Sequence, residues 1–283
     1  MAILGIDLGG TTISAGLLEN ENLVHCNSWP VDKSHGKDGV INQLLQIIES
    51  FNEYQIDGIG IGVPSYVDIS KGIVYDVVNL PDWDVVPLKD IIQHSFNIPV
   101  AINNDANCFV LGEKYFGAAL PFSNTVGVTL GTGVGVGIII NNHLYEGMNC
   151  GAGEVGCLPY LDKDYEYFTG KSFFTDIHQV EPLDLFEQVK NGDTKAQEIF
   201  NSYGHHLGML IKLLQSCYDP EAIVFGGAIA GAWDHFIHSA LATAQDTIFT
   251  RFAKNLVVKK SSLENAGIFG AAKLVTFSKN RNT

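Results

Sequence analysis

The sequence predicts an α/β fold built twice over, and three observations carry that expectation. A strand, glycine turn and strand occupy Ala2 to Leu18, and the same pattern returns about 120 residues later, from Thr125 to Ile140. Short apolar runs alternate with longer segments whose apolar residues recur three to four apart, as parallel strands covered by helices do. One of those runs, Pro99 to Ile102, stops at Asn103, Asn104 and Asp105. Two amides and a carboxylate then stand just beyond the carboxyl end of a buried strand, where an α/β sheet presents groups to a ligand.

In chain order, A-I-L-G-I-D and I-S-A-G-L-L are strands joined by L-G-G-T-T. Gly9 and Gly10 permit positive φ and lack Cβ, so backbone N–H groups and the hydroxyls of Thr11 and Thr12 can close on an anion. A plain glycine hairpin explains the turn equally well. Asp7, a carboxylate ending a buried strand beside that turn, is placed to hold Mg²⁺ or its water. Glu21 to Trp29 reads as a strand, and Gly36 to Tyr54 as a helix with Val40, Leu44, Leu45, Ile48 and Phe51 on one face. The strand I-D-G-I-G-I-G-V-P-S has alternating glycines that allow close backbone approach, and it ends at Pro64 and Ser65. Val78 to Trp83 is a loop where the Asn79 amide and the Trp83 indole can meet a polar, ring-shaped ligand. Pro87 to Phe96 is a helix. After it, Asp105 stands where a helix N-cap belongs, because Phe109, Val110, Tyr115 and Phe116 continue at helical spacing. Taken alone, that segment favours a capping role over a catalytic one.

The second half opens with T-V-G-V-T-L-G-T-G-V-G-V-G-I-I-I, whose turn is Gly131, Thr132 and Gly133. Two copies of such a unit imply a nucleotide gripped in the cleft between the halves. Val136 stands where the dinucleotide fingerprint requires glycine, and Tyr165 where a P-loop requires it, so neither of those motifs is present. Glu154 lies between small residues in the loop-like stretch Leu144 to Tyr160, within reach of sugar hydroxyls. Asp193 to Tyr218 is a long helix, on which His205 and His206 read as surface or satisfied residues. Ala222 to Ala230 is a strand running into Gly226 and Gly227, where the flat face of a base can rest on backbone. Helices follow at Trp233 to Phe252 and Asn265 to Ser278. No Pro- or Ser-rich linker separates the halves, which leaves Asp105 to Gly117 as a hinge helix.

Composition narrows the partners. A formal charge of -14 argues against nucleic acid and anionic membranes, both of which need a basic footprint. The start, M-A-I-L-G-I-D-L-G-G, has no basic region and breaks at Asp7, unlike a signal peptide, and the longest uncharged stretch is too short and glycine-rich to span a bilayer. A cytoplasmic location is expected. The five cysteines form no C-x-x-C pair and have no histidine at zinc-finger spacing, so reduced thiols are expected too.

With these residues laid out, the chain resembles the bacterial ROK sugar kinases (repressor, open reading frame, kinase). D-L-G-G-T-T at 7–12 is similar to the family's first phosphate motif and L-G-T-G-V-G at 130–135 to its second. G-I-G-V-P at 60–64, N-L-P-D-W at 79–83, N-N-D-A-N at 103–107 and G-A-G-E-V-G at 151–156 are similar to its sugar-site motifs, and all six follow the family's order. The resemblance implies a duplicated actin-like and hexokinase-type (ribonuclease H-like) fold of two lobes with an active-site cleft between them. The smaller lobe would comprise 1–115 plus 265–283 and the larger 116–264. It implies ATP with Mg²⁺, phosphorylation of a hexose such as glucose, mannose or N-acetylmannosamine at its primary hydroxyl, and a homodimer. Asp105 becomes the general base, and Asn79, Asn104, Glu154 and Glu166 become sugar ligands. Gly9, Gly10, Thr11, Thr12, Gly131, Thr132, Gly133, Gly226 and Gly227 become nucleotide contacts.

Two departures from the family pattern stand out. Most members carry a histidine after the G-E-x-G motif that touches the sugar and, with a cysteine cluster, binds a structural zinc. Here Cys157 takes that position and Leu158 to Phe174 holds no cysteine, so no zinc is expected. Ser65 occupies the sugar site where the family usually has glycine. Family repressors carry an N-terminal helix-turn-helix segment, whereas this sequence opens on the first phosphate strand, so no DNA reading is expected. A sugar-sensing binding protein without activity and a nucleotide hydrolase of the same superfold are the competing readings.

Overall fold

The computed structural model describes residues 1–77, 80, 82–246 and 254–281. The chain folds into two compact units, Met1–Leu120 with Leu144–Ala152 and Leu263–Thr283, and Pro121–His143 with Gly153–Ser262. The short stretch Leu144–Ala152, far along the chain, thus folds with the first unit.

The first unit runs β1 (Ala2–Leu8), β2 (Thr12–Glu19), β3 (Asn22–Pro30), α1 (Gly36–Glu49), β4 (Ile56–Val63), β5 (Tyr66–Asp68), β6 (Ile73–Tyr75), β7 (Val85–Val86), α2 (Leu88–Phe96), β8 (Val100–Asn104) and α3 (Asp105–Phe116). Its main sheet has the order β3-β2-β1-β4-β8, with β1 antiparallel to β2 and parallel to β4, and β4 parallel to β8. Nearly every residue of β1 is buried because both faces of the sheet are covered, which is why the strand is continuously apolar up to Asp7. On one face, α1 contributes Val40, Leu44, Ile47 and Ile48 to a core with Leu4, Ile6, Ile59, Ile61 and Ile102.

The second unit runs β9 (Thr125–Leu130), β10 (Val134–Ile140), β11 (His143–Leu144), β12 (Pro159–Tyr160), β13 (Lys163–Asp164), α4 (Tyr165–Thr169), α5 (Pro182–Lys190), α6 (Thr194–Tyr218), β14 (Ala222–Gly226), α7 (Trp233–Gln245) and β15 (Val257–Lys260). Its sheet order is β11-β10-β9-β14-β15. In both sheets the first strand of the repeat pairs antiparallel with the second and parallel with the fourth in its list. The echo seen in the sequence is therefore a repeated topology. Helix α6 is capped by Asp193, whose carboxylate accepts the amides of Lys195 at 2.8 Å and Ala196 at 3.2 Å. It buries the stripe Phe200, Tyr203, Leu207, Leu210, Ile211 and Leu214. Part of the helix expected at Trp233 to Phe252, residues 247–252, lies outside the described residues.

The chain then returns to the first unit with α8 (Ala266–Arg281), which covers the second face of that sheet. Ile268, Ala271, Ala272, Leu274 and Val275 are among its buried residues. A Cβ on Gly60 would lie 1.7 Å from the Ala271 carbonyl oxygen, so the alternating glycines of β4 are what lets this helix's backbone approach the strand. Among the described residues, no helix is long and apolar enough to cross a membrane.

Candidate active site

The strand ends of the first unit line up. Asp7 pairs with Gly62, and Gly62 with Asn103, so β1, β4 and β8 finish side by side and in parallel. The chain beyond each strand is a predicted site segment: Gly9 to Thr12 after β1, Ser65 after β4, and Asp105 after β8. A single sheet edge therefore collects the first phosphate turn, one sugar motif and the expected base. In the turn, the Gly9 amide donates to the Thr12 carbonyl at 2.9 Å, while Thr11 and Thr12 are exposed.

The structure corrects the capping assignment. Asn104, not Asp105, is the N-cap of α3, its Oδ1 accepting from the amides of Ala106 at 2.9 Å and Asn107 at 3.3 Å. Two adjacent residues were both able to cap, and the chain turns helical one position earlier than a cap at Asp105 required. Asp105 is half-buried in the first turn, where its Oδ1 also accepts the Ala106 amide at 2.8 Å. The Asn104 Nδ2 donates to the Ser65 carbonyl at 3.3 Å. Ser65 itself is occupied, its Oγ donating to the carbonyl of Tyr75 and, at 3.3 Å, to that of Asp76.

Beneath this pair lies a polar web that the sequence did not announce. Asn103, 1% exposed, donates from Nδ2 to Glu146 Oε1 at 2.8 Å. Its Oδ1 accepts from the Asn104 amide at 2.8 Å, Asn107 Nδ2 at 2.9 Å and Cys150 Sγ at 3.2 Å. Asn107 Oδ1 is buried with no partner among the described residues, a cost of about 1–3 kcal/mol retained under the expected base. Cys108, also buried here, has its thiol pushed well above the usual range by burial first and then by the Asp7 and Asp105 carboxylates. It is a protonated, unreactive thiol.

Two further expectations meet the structure differently. Asn79 lies outside the described residues. The Trp83 indole, expected to face a ligand, is 1% exposed inside the first unit's core. The area of an indole is worth more in that core than at a loop tip, and burial won.

In the second unit, β9 and β14 are parallel with Thr129 opposite Gly226, so the Gly131–Gly133 turn and Gly227 share one sheet edge. Gly227 has φ 86°, and a Cβ there would meet the Leu130 carbonyl oxygen at 2.4 Å. A Cβ on Gly131 would meet nothing within 4 Å, which leaves the turn open to an approaching group. Glu166 joins this edge through its Oε2, which accepts the Val134 amide at 2.9 Å. Burial first, and then the Glu166 carboxylate, raise the Glu154 pKa above its ordinary value. Burial followed by Glu154, Glu166 and Asp164 push the Cys157 thiol up, so at neutral pH it stays protonated where an imidazole was the family pattern.

The segment after Cys157 is held by rings. Tyr160 and Tyr165 stack at 4.4 Å, Phe168 meets Tyr160 edge-on at 5.5 Å, and His206 Nδ1 lies 3.1 Å from the Tyr160 hydroxyl. Burial, with His205 and His178 as smaller causes, lowers the His206 pKa to about 4, so the ring is neutral. His205 Nδ1 lies 3.1 Å from Thr243 Oγ1, and both histidines have structural partners.

Among the described residues no group of three or more His, Cys, Asp or Glu could hold a metal ion. Mg²⁺ asks for less, since it takes one or two carboxylates and completes its shell with waters and phosphates. Asp7 fits that demand. Its carboxylate lies against the start of α8, where a Cβ on Gly267 would meet Oδ2 at 2.5 Å, and burial raises its pKa from 3.8 to about 6. A desolvated carboxylate of this kind gains from a cation beside it.

Comparison with known proteins agrees with the motifs. Glucokinase from Thermotoga maritima is 30% identical, over 97% of this chain and 97% of that protein. The xylose repressor of Bacillus spizizenii is 27% identical over 96% of this chain and 76% of the repressor. Among solved structures, a ROK family glucokinase from Streptomyces griseus, in complex with glucose and AMPPNP, superimposes with a TM-score of 0.84 at 25% identity, covering 97% of this chain and 99% of that one. The repeated sheets, the six motifs and a match to the ROK family from residue 3 to residue 277 converge: this chain belongs to the ROK family.

Proposed function

We propose that the chain is an ATP-dependent sugar kinase, transferring the γ-phosphoryl group of Mg-ATP to the 6-hydroxyl of a hexose such as glucose, mannose or N-acetylmannosamine. The observation that carries this reading is the division of labour between Asn104 and Asp105. Asn104 is the cap residue of α3, so Asp105 is not needed as the cap even though its Oδ1 shares the Ala106 amide. Asp105 accepts the proton of the sugar hydroxyl as that oxygen attacks the γ-phosphorus and the bond to the β-phosphate oxygen breaks. In a loose transition state the proton leaves late, and an ordinary carboxylate suffices as base.

The other residues position and neutralise charge. Asn79, Asn104, Glu154 and Glu166 bind sugar hydroxyls, with Ser65 and Cys157 bordering that site. The turns Gly9–Thr12 and Gly131–Gly133 offer amides and hydroxyls to the phosphates, and Gly226 and Gly227 give the base a flat seat. Asp7 would hold Mg²⁺ through water, and the ion would supply charge neutralisation to the phosphates when bound. The working form in this reading is a cytoplasmic homodimer that binds no nucleic acid.

The test is ADP release with Mg-ATP and a hexose panel, with Asp105→Asn alongside. A sugar that stimulates turnover in the parent alone supports the kinase, and sugar-independent turnover supports a hydrolase. A second reading, a sugar sensor with little activity, is supported by Cys157 and Ser65, the two positions that depart from the family pattern. It predicts calorimetric sugar binding with no turnover on any sugar.

A further inference from the structure

The first unit contains a groove of about 1160 Å³ that none of the residues assigned above to sugar, nucleotide or metal lines. It nevertheless begins one residue away from two sugar motifs: Tyr66 follows Ser65, and Asn103 precedes Asn104. Its volume exceeds the roughly 300–1,000 Å³ typical of a small-ligand pocket, so it is larger than a single hexose ring needs.

The lining is chemically particular. Tyr66 and Tyr75 are directly paired across β5 and β6, which puts both rings on one face of the hairpin, and both line the groove. Tyr66 is 45% exposed, and Gly151 backs its ring so closely that a Cβ there would lie 2.9 Å from Cε1. Around the rings stand Asp68, Asp76, Glu146 and Asn149, with Lys89 as the one lining cation. Met148, 98% exposed, forms an apolar rim.

Asp68 is paired with the Lys71 ammonium at 3.2 Å, which leaves Asp76 and Glu146 against Lys89, and this net negative lining repels an anion and argues against a nucleotide or a sugar phosphate as occupant. Carboxylates and amides instead suit a neutral polyol, whose hydroxyls donate to the former and exchange hydrogen bonds with the latter. Tyrosine faces cover the C–H face of a pyranose at low entropy cost, because each ring has two rotatable bonds. Resting on the kinase reading above, we propose that this groove is a second sugar subsite, which takes the second pyranose ring of a disaccharide or glycoside whose first ring is presented to Asp105. The substrate class is then a neutral glycoside rather than a free hexose.

The test is calorimetry of glucose, methyl β-glucoside, cellobiose and maltose with the full chain, run beside ADP release for each sugar. Variants are Tyr66→Ala, Tyr75→Ala and Asn149→Trp, the last of which obstructs the groove from an exposed position without touching the core. At least one disaccharide should bind about tenfold tighter than glucose, the scale of a well-stacked ring, and methyl β-glucoside should behave like glucose. Each variant should bring that ratio close to one. Glucose binding as tightly as both disaccharides, or an advantage that survives all three substitutions, overturns the subsite. A tyrosine-dependent advantage without turnover on any sugar retains the subsite and rejects the kinase. Turnover on glucose with no disaccharide advantage does the reverse.

Discussion

Glu146 accepts a hydrogen bond from Asn103 Nδ2 at 2.8 Å, joining residues 43 apart in the chain. The contact ties the Leu144–Ala152 loop to the residue that precedes Asn104 and Asp105, and the other side of the same amide holds Asn107 in the first turn of α3. The expected base is thereby oriented from below by a loop that arrives late in the sequence.

Asn103→Asp sets a second carboxylate against Glu146 in a buried site. We expect a loss of about 2–4 kcal/mol in urea unfolding and a lower turnover number. The double substitution with Glu146→Gln exchanges donor and acceptor across the same contact, and the introduced carboxylate can still accept the other three donors. Recovery of most of the stability and rate checks the orientation; no recovery places the damage elsewhere.

Asp105→Asn and Asn104→Ala should separate chemistry from folding. The first loses roughly 10²- to 10⁴-fold in rate with an unchanged melting temperature, because the cap is retained. The second loses about 1 kcal/mol of stability through the cap and raises the sugar KM. Melting curves and steady-state kinetics on both variants decide.

Burial raises the Asp7 pKa from 3.8 to about 6. Because the folded state binds the proton more tightly than the unfolded one, the stability this group contributes is present below pH 3.8 and is lost as pH rises through 6. Asp7→Asn should therefore be more stable than the parent by about 2–3 kcal/mol at pH 7.5 and equal to it near pH 3.5. Mg-ATP should narrow the gap at pH 7.5 by stabilising the parent alone. Chemical denaturation at the two pH values reads both effects.

Gly133→Ala places a Cβ 2.3 Å from Glu166 Oε2 and forces that carboxylate off the Val134 amide. The expected result is a rise of about tenfold in KM with little change in melting temperature, since Thr132 at the tip of the turn is exposed. An unchanged KM would remove Glu166 from the binding site.

Local signals were legible and long-range ones were not. Gly9, Gly10, Gly131 and Gly133 announced their turns by residue type, although none of the four adopts the positive φ that glycine permits, and the stripe from Phe200 to Leu214 announced α6 by its period. Whether Asn104 or Asp105 would cap was beyond the resolution of pattern reading, as helix starts shift by a residue or two. Trp83 looked like a ligand contact because its loop was visible in the sequence and its burial was not. Glu146 and Cys150 carry no local signature at all, for their partner Asn103 lies more than forty positions away. The groove likewise assembles from β5, β6, β8, the Leu144–Ala152 loop and α8, so no single stretch of sequence could outline it.

Helix α8 also fixes an order of events during synthesis. The second unit lies wholly between Leu120 and Leu263 in the chain, so it leaves the ribosome complete while the first sheet still waits for the helix that covers its second face. At roughly 5–20 residues per second, the stretch from β8 to the end of α8 takes on the order of ten to thirty-five seconds to emerge. For that interval Ile3, Gly58, Gly60 and Ala101 form an uncovered apolar surface on a nascent chain. Ribosome-associated chaperones would find their binding surface there, and a stalled or truncated message would yield a finished inner unit carried on an unfinished outer one.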